Sequence, residues 1–299
     1  MMSNVAVFGC NGYLGQHMVH TLLLQKELAV TGFDLQEAYA GTDYITYRKL
    51  DITDVAQVKT LGEDFDTIYY FTGLTGTDIS FERYELFVNV NEMGLLHLLQ
   101  HLRGFSKRPK IVFPSTRLVY KGVADKPLAE DDEKEFKTIY ASSKYNGEQY
   151  LEMYRNLFGF DYTVFRVCVP YANIVAGALS YGTVGFFLGK AQQGEPISLF
   201  GDGELKRTFT HVMDICRQIL LVSAMPESNG RVFNIDGETY SLKDVASLIA
   251  EKYGVPLQFV PWPPKALQLE SGDTIFDGSR IRSLLPQTIK YSLQEWIHA

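Results

Sequence analysis

A tyrosine and a lysine stand four residues apart in the segment Tyr140-Ala-Ser-Ser-Lys144. On a helix, this spacing places both side chains on one face. A phenol with an ordinary pKa of about 10 is a poor base at neutral pH, but a neighbouring ammonium stabilises the phenolate. The pair could therefore exchange a proton with a substrate hydroxyl. The same spacing also occurs on helix surfaces that carry no function.

A side-chain hydroxyl could join this pair from the segment Phe113-Pro-Ser115-Thr116. The apolar run over 110–114 predicts a strand, and Ser115 and Thr116 lie at its end. Ligands of parallel sheets bind beyond the carboxyl ends of the strands, so a hydroxyl at this position could lie beside the tyrosine. Ser115 could instead cap the following turn.

A second set of residues, near the start of the chain, could hold a cofactor. The apolar run over 5–8 predicts a buried strand, and Gly9, Gly12 and Gly15 follow it in the spacing G-x-x-G-x-x-G. Gly9 permits a tight turn, and Gly12 lets a pyrophosphate approach the backbone at a helix N-terminus. Gly15 lets that helix pack closely on the sheet. The segment therefore predicts a dinucleotide-binding turn.

The nature of the dinucleotide is indicated by Asp34, which ends the second predicted strand 19 residues after Gly15. A carboxylate here can accept hydrogen bonds from both adenosine ribose hydroxyls and would repel a 2′-phosphate. No arginine stands beside it to receive that phosphate, so NAD is favoured over NADP. Asp34 could also cap the following turn. Bound NAD would take a hydride while Tyr140 takes a proton.

Two further segments predict cofactor contacts. Leu50-Asp51-Ile52 follows the third predicted strand, where a carboxylate and the backbone could meet an adenine amino group. Phe71-Thr72-Gly73-Leu74 closes the fourth strand, where small residues would let the backbone pass close to the dinucleotide.

These residues need a scaffold, and the first half of the chain predicts one by alternating apolar runs with helical patterns. The predicted strands span 5–8, 29–34, 44–49, 67–71, 110–114 and 162–167, and the predicted helices span 16–25, 55–61, 86–102 and 139–158. This βαβ rhythm predicts an α/β fold with a doubly wound parallel Rossmann sheet.

After residue 167 the rhythm loosens, because glycine and proline become frequent. We therefore expect an NAD-binding Rossmann domain over 1–168, with parts of 208–236 returning to it. A smaller C-terminal lobe over 169–299 would be mainly substrate-binding.

The composition and net charge of the chain argue against several kinds of partner and binding site. A net charge of -7 over 299 residues argues against nucleic acid or an anionic membrane as the main partner. The 3 cysteines, Cys10, Cys168 and Cys216, show no C-x-x-C spacing and predict neither a disulfide framework nor a zinc site. His97 and His101 share a helix face without a third ligand, so no metal is expected. With no leader or bilayer-length apolar run, we expect a soluble, reduced, cytoplasmic protein.

Together, the motifs resemble those of the extended short-chain dehydrogenase/reductase family, specifically the nucleotide-sugar epimerases and dehydratases. The resemblance extends over nearly the whole chain. Its segments are the glycine turn, Asp51-Ile52, Phe71-Thr72-Gly73-Leu74, Val90-Asn91, Pro114-Ser115-Thr116, Tyr140 with Lys144, and Leu199-Phe-Gly201-Asp-Gly203 with Arg207.

This resemblance implies roles for individual residues. Thr116, chosen over Ser115, would be catalytic with Tyr140 and Lys144. Cofactor contacts would come from Gly9, Asn11, Gly12, Tyr13, Leu14, Gly15, Asp34, Leu35, Asp51, Ile52, Phe71, Thr72, Gly73, Asn91, Pro114, Tyr140, Lys144 and Val169. Substrate contacts would come from Thr75, Thr116, Arg117, Asn173, Phe200 and Arg207, the last holding a phosphate bidentately.

Several positions depart from the family pattern. Arg117 and Leu118 stand where the 4,6-dehydratases carry an Asp-Glu pair, so dehydration is not expected. Val169 replaces an asparagine that commonly meets the substrate. Glu270 begins a segment that usually starts with a diphosphate-binding arginine. Its carboxylate would repel the diphosphate unless it turns away or meets a basic neighbour.

The resemblance implies an NAD-dependent enzyme acting on a nucleotide-diphosphate sugar, with C4 epimerisation through a transient 4-keto sugar as the leading hypothesis. A 4-keto reductase or 4-dehydrogenase with net redox would use the same residues. A non-catalytic NAD-binding regulatory protein is an alternative from another class. The helices over 86–102 and 139–158 resemble those of a four-helix dimer interface, so a homodimer is expected.

Overall fold

The computed structural model describes residues 3–41, 44–62, 65–175 and 180–299. Its strands are β1 Ser3–Phe8, β2 Leu28–Asp34, β3 Thr46–Lys49, β4 Thr67–Tyr70, β5 Lys110–Thr116, β6 Pro127–Leu128, β7 Tyr162–Val167, β8 Val169–Tyr171, β9 Ile197–Phe200, β10 Lys206–His211, β11 Arg231–Asn234, β12 Glu238–Ser241, β13 Leu257–Val260 and β14 Ile275–Phe276.

Its α-helices are α1 Tyr13–Leu23, α2 Val55–Val58, α3 Ile79–Glu82, α4 Tyr84–Val88, α5 Gly94–Leu102, α6 Ile139–Phe158, α7 Gly182–Gln192, α8 Val212–Ser223, α9 Leu242–Tyr253, α10 Pro264–Leu269, α11 Ser279–Leu284 and α12 Leu293–His298. A π-helical turn over Asn89–Met93 joins α4 to α5. Two 3₁₀ turns span Arg117–Val119 and Pro226–Ser228. None of these described helices has the length and apolar character needed to cross a membrane.

A seven-stranded sheet in the order β3-β2-β1-β4-β5-β7-β11 forms the centre of the fold. All six strand pairs are parallel, as the βαβ rhythm predicts. The chain moves outward from β1 in one direction through β2 and β3, and in the other through β4, β5 and β7. The strand order therefore reverses beside β1, where open α/β sheets bind their ligands.

Apolar side chains cover both faces of this sheet. One face packs against α5 and α6, and the other packs against α1 and α8. Because both faces are buried, the strands are continuously apolar and show little alternation. The carboxyl edge of the sheet is left to hold the turns that follow β1, β4 and β5.

Smaller elements pack beside the central sheet. β8, β10 and β12 form a three-stranded sheet, and β9 pairs with β13. Apolar residues of α7, α9 and α12 cover these strands. Segment 208–236 contributes to both regions. Most of β10 belongs to it and lies in the three-stranded sheet, whereas β11 joins the central sheet beside β7 and α8 packs on α1.

The long helix predicted over 139–158 is confirmed at both ends. Thr138 caps α6, since its hydroxyl accepts a hydrogen bond from the Ala141 amide at 3.0 Å. Gly159 ends the helix in the left-handed conformation, with φ at 71°. Tyr140 therefore lies in the first turn of α6, and Lys144 lies one turn further on.

The helix predicted over 86–102 is only partly correct. It begins earlier, at Tyr84, and the π-helical turn over Asn89–Met93 interrupts it. A π turn contains one residue more than an α turn, which apolar periodicity over a short window does not reveal. The helix predicted over 55–61 is also too long, because α2 ends at Val58.

An ion pair between Arg166 of β7 and Glu148 fastens α6 to the sheet. Arg166 donates from Nε at 3.0 Å and from Nη2 at 2.6 Å to the two carboxylate oxygens, and each side chain is 3% exposed. Replacing Glu148 with alanine leaves the guanidinium buried without its counter-charge. We expect the free energy of unfolding to fall by about 3–5 kcal/mol.

Chemical denaturation of Glu148→Ala measures this loss. Glu152→Ala is the matched control, since Glu152 lies one turn further along α6 and is exposed. Equal stability of the two variants would contradict the structural role of the ion pair.

Candidate functional site

Two adjoining cavities open at the carboxyl ends of the central strands. The first has a volume of about 450 Å³ and the second about 380 Å³. Both lie within the size range of ligand sites. They share the lining residues Gly9, Gly12, Phe71, Gly73 and Leu74. Together they form one elongated cleft across the point where the strand order reverses.

The glycine turn after β1 forms the floor between the cavities. Gly9 has φ at 74°, and the Gly12 amide donates to its carbonyl at 3.0 Å. A Cβ atom on Gly15 would lie 2.1 Å from that same oxygen, so only glycine fits there. α1 starts at Tyr13 without a side-chain cap. Its first amides are therefore available to a phosphate, and the turn fits a dinucleotide.

Asp34 lies in the first cavity at the end of β2. Its Oδ2 accepts a hydrogen bond from the Asn11 amide at 3.0 Å, and its Oδ1 accepts one from the Leu35 amide at 2.8 Å. An ionised carboxylate has about four acceptor positions, so both oxygens can still receive ribose hydroxyls. Asp51 and Ile52 line the same cavity, together with Thr72.

The Asn11 side chain lines the first cavity and also supports the loop after β2. Its amide donates to the Ala38 carbonyl at 2.9 Å, and its Oδ1 accepts from the Ala40 amide at 2.8 Å. These bonds fasten the loop after β2 to the glycine turn and hold Asp34 in place.

Thr116, Tyr140 and Lys144 meet in the second cavity. Thr116 is the last residue of β5, and its hydroxyl accepts a hydrogen bond from the Leu118 amide at 3.3 Å. Ser115 lines this cavity too, and its buried hydroxyl has no partner among the described residues. The other predicted residues in the lining are Tyr13, Leu14, Gly15, Thr75 and Pro114.

Burial disfavours the charged forms of both members of the Tyr–Lys pair. It raises the pKa of Tyr140 to about 12, against an opposing contribution from a hydrogen bond with Thr116. It lowers the pKa of Lys144 to about 7, against the opposing charge of Glu148. The Lys144 Nζ also lies 4.1 Å from the centre of the Phe113 ring. The lysine is therefore able to gain or lose a proton near neutral pH.

Asn91 and Val169, predicted to contact the cofactor, do not line either cavity. Asn91 lies in the π-helical turn, where its Oδ1 accepts from the Leu74 amide at 2.7 Å. Its Nδ2 donates to the Leu74 carbonyl at 3.1 Å and to the Ser143 hydroxyl at 3.0 Å. It therefore fastens the turn after β4 to α6. Val169 is buried in β8.

Of the predicted substrate contacts, Arg117, Asn173, Phe200 and Arg207 lie outside the two linings. The Phe200 ring is 42% exposed, and its centre lies 5.1 Å from that of Trp262. The Asn173 side chain accepts a hydrogen bond from the Val175 amide at 3.2 Å. Neither side chain lines the cavity that holds the catalytic residues.

Arg207 and Glu270 form an ion pair, with Nη2 and Oε2 2.7 Å apart. The two side chains are 7% and 16% exposed. The sequence left open whether Glu270 turns away or meets a basic neighbour, and the structure shows that it meets one. Its partner is the arginine that sequence reasoning assigned to a substrate phosphate.

Sequence reasoning missed Tyr181, which lines the second cavity. Its ring stacks on that of Tyr13 with centres 4.8 Å apart, and its hydroxyl hydrogen-bonds that of Thr75 at 3.1 Å. No motif surrounds Tyr181, so its approach to the site is visible only in three dimensions. Arg83 and Leu86 of the first cavity were missed for the same reason, whereas Val90 belongs to the segment Val90-Asn91 but was not assigned to the site.

The histidines at metal-ligand spacing hydrogen-bond the backbone. His97 Nδ1 lies 3.4 Å from the Ile52 carbonyl, and His101 Nε2 lies 3.0 Å from the Leu61 carbonyl. Within the described part of the chain, no cluster of three or more histidine, cysteine or acidic side chains could hold a metal ion.

Residues 5–236 match the model of the NAD dependent epimerase/dehydratase family. The chain belongs to this family. It is an enzyme of the extended short-chain dehydrogenase/reductase type, and NAD is its cofactor.

Among relatives in this epimerase/dehydratase family, a UDP-glucuronate 4-epimerase of Thermodesulfobacterium geofontis is 28% identical, over 72% of this chain and 70% of the relative. A dTDP-4-dehydro-6-deoxy-D-allose reductase of Streptomyces bikiniensis is 25% identical, over 97% and 94%. The fold is similar to that of a Thermus thermophilus UDP-glucose 4-epimerase in complex with NAD, with a TM-score of 0.85 and 24% identity over 99% and 96% of the chains.

Proposed function

We propose that this enzyme is a nucleotide-sugar epimerase that inverts C4 through a transient 4-keto sugar. The meeting of Thr116, Tyr140 and Lys144 in a cavity continuous with the dinucleotide cleft carries this proposal. The names of two of the relatives described above, both 4-epimerases, support it.

The chain's own residues would bind NAD along the shared cleft. The free amides at the start of α1 would hold the pyrophosphate, and Asp34 would hold the adenosine ribose. The adenine would lie by Asp51 and Ile52 in the first cavity. The nicotinamide end would then enter the second cavity, and when bound it supplies the acceptor and later the donor of one hydride.

The protein residues handle the proton of the same reaction. Thr116 would hydrogen-bond the C4 hydroxyl of the sugar, and Tyr140 would take its proton as the C4 hydride leaves and the carbonyl forms. An ammonium on Lys144 would stabilise the phenolate that this step requires. The keto sugar would then rotate and present its other face. The hydride would return to C4 and Tyr140 would give the proton back to the C4 oxygen, so no net redox would occur.

A dehydration is disfavoured by the neighbours of Thr116. Elimination of water needs a general acid and a general base beside the reacting carbons. The positions after Thr116 hold Arg117 and Leu118, which offer neither a carboxyl acid nor a carboxylate base.

The proposal is tested by incubating the NAD-loaded enzyme with nucleotide sugars and recording the C4 configuration by NMR. We expect the C4 epimer, retention of a deuterium placed on C4, and no net change in NADH absorbance. Stoichiometric consumption or accumulation of NADH would overturn the epimerase.

The second candidate is a 4-keto reductase or 4-dehydrogenase, favoured by the reductase of Streptomyces bikiniensis among the relatives. It requires NAD(H) to exchange with solution in every turnover. Isotopically labelled NAD added during turnover distinguishes the two, because an epimerase keeps its original cofactor.

A further inference from the structure

Three charged side chains, Arg117, Arg207 and Glu270, form a cluster beside the catalytic residues; we call it the arginine cluster. Arg117 follows Thr116 directly and opens a 3₁₀ turn. Its Nη1 donates to the hydroxyls of Ser271 at 3.2 Å and Thr274 at 3.3 Å. Both partners are neutral. Glu270 precedes Ser271 in the chain, and it is the one carboxylate of the cluster.

The carboxylate of Glu270 is committed to Arg207. It accepts from Arg207 Nη2 at 2.7 Å, and its other oxygen accepts from the Gly272 amide at 3.2 Å. In the described ranges, no carboxylate forms an ion pair with Arg117. Nor do its Nε and Nη2 have a hydrogen-bond partner there. One whole edge of the guanidinium is left for a ligand.

The arginine cluster carries one positive charge in excess. Arg207 is 6% exposed, and its Nε is buried without a hydrogen-bond partner among the described residues. Burial and the charge of Arg207 together lower the pKa of Arg117 to about 10. An uncompensated charge away from water is costly. The cluster therefore favours binding of an anion.

The position of Arg117 indicates which part of the substrate carries that anion. Arg117 adjoins Thr116 in the chain, and its charge also acts on Tyr140. These two residues are proposed to act on the C4 hydroxyl. We therefore assign the group that binds the free edge of Arg117 to the sugar, close to the reacting carbon. The Nε and Nη2 edge matches a carboxylate in the bidentate geometry.

We propose that Arg117 binds a carboxylate on the sugar, so that the substrate is a nucleotide-linked sugar acid. This inference rests on the proposed function for the orientation of the sugar. The excess charge of the arginine cluster and the free edge of Arg117 carry it.

The test measures binding by calorimetry to the NAD-loaded enzyme. Each probe pair consists of a nucleotide-linked glucuronate and the corresponding nucleotide-linked glucose. Four such pairs are made, with uridine, thymidine, cytidine or guanosine diphosphate as the nucleotide. Each nucleoside diphosphate without a sugar is measured as well. For the pair that binds, we expect the carboxylated member to bind about ten- to hundredfold more tightly. Arg117→Gln should bring this ratio to about one.

Two further variants keep the test decisive. Arg117→Lys retains the charge without the planar fork and should give an intermediate ratio; it also replaces Arg117→Gln if that variant does not fold. Arg108→Gln removes an exposed arginine outside the linings of both cavities and should leave the ratio unchanged.

The outcomes separate this inference from the proposed reaction. Equal affinity for the two members of the binding pair, or no binding by any pair, would overturn it. The inference would also be overturned if Arg117→Gln weakened the binding of the nucleoside diphosphate, the neutral nucleotide sugar and the nucleotide sugar acid by one common factor. Arg117 would then bind the diphosphate. A carboxylate preference without any epimer formed would support Arg117's role and reject only the C4 reaction.

Discussion

Replacing Tyr140 with phenylalanine is expected to lower kcat by about 10²- to 10⁴-fold, the usual contribution of a general acid–base group. The phenylalanine ring fills the same volume but has no hydroxyl to take the substrate's proton. The glycine turn and Asp34 are unchanged, so the variant should still bind NAD. Single-turnover kinetics with C4-labelled nucleotide sugar, together with the NAD content of the purified protein, measure both quantities.

Tyr145→Phe provides the matched control for this experiment. Tyr145 lies on the same helix and packs against Phe136, with ring centres 4.9 Å apart. It does not line the second cavity. If Tyr140→Phe lowered kcat no more than Tyr145→Phe does, Tyr140 would not be the proton carrier.

Lys144→Met is expected to lower kcat by a comparable factor, because the phenolate of Tyr140 loses its supporting ammonium. The same substitution should change how stability depends on pH. In the folded protein without NAD, burial lowers the pKa of Lys144 from 10.5 to about 7. Between these two values the unfolded chain binds the proton more tightly, so the free energy of unfolding rises as the pH rises.

Methionine cannot titrate, so Lys144→Met should lack this contribution. Denaturation of NAD-free wild type and variant at several pH values across that interval isolates it, because the other titrating groups are common to both proteins. The wild type should gain stability relative to the variant as the pH is raised. A constant difference between the two proteins would show that burial does not depress the pKa of Lys144.

The parts of the site that the sequence predicts best are those whose cause is local. The bounds of α6 follow from Thr138 at its start and Gly159 at its end, so the position of Tyr140 and Lys144 on one face, one turn apart, could be predicted. The glycine turn is equally local, since the close contact of Gly15 with Gly9 spans six residues. In both cases the residue type itself requires the backbone conformation.

The parts that the sequence could not predict depend on contacts between distant segments. Arg207 and Glu270 pair across 63 residues, and no local pattern tells which oxygen a long side chain will reach. Tyr181 reaches Thr75 across 106 residues. Asn91 reaches the turn after β4 because it lies in the π turn, and no characteristic composition marks a π turn in the sequence.

That π-helical turn limits which single-residue deletions the protein can tolerate. A π turn takes up one extra residue and leaves the helices on either side in register, so deleting one residue within Asn89–Met93 would restore a regular helix with α4 and α5 in place but would reorient the side chains inside the turn. Asn91 would then face away from Leu74 and Ser143, and α6 would lose its hydrogen-bonded link to the turn after β4. A deletion that makes the helix more regular would therefore inactivate the enzyme, and selection should keep this irregular residue count even while the side chains around it drift.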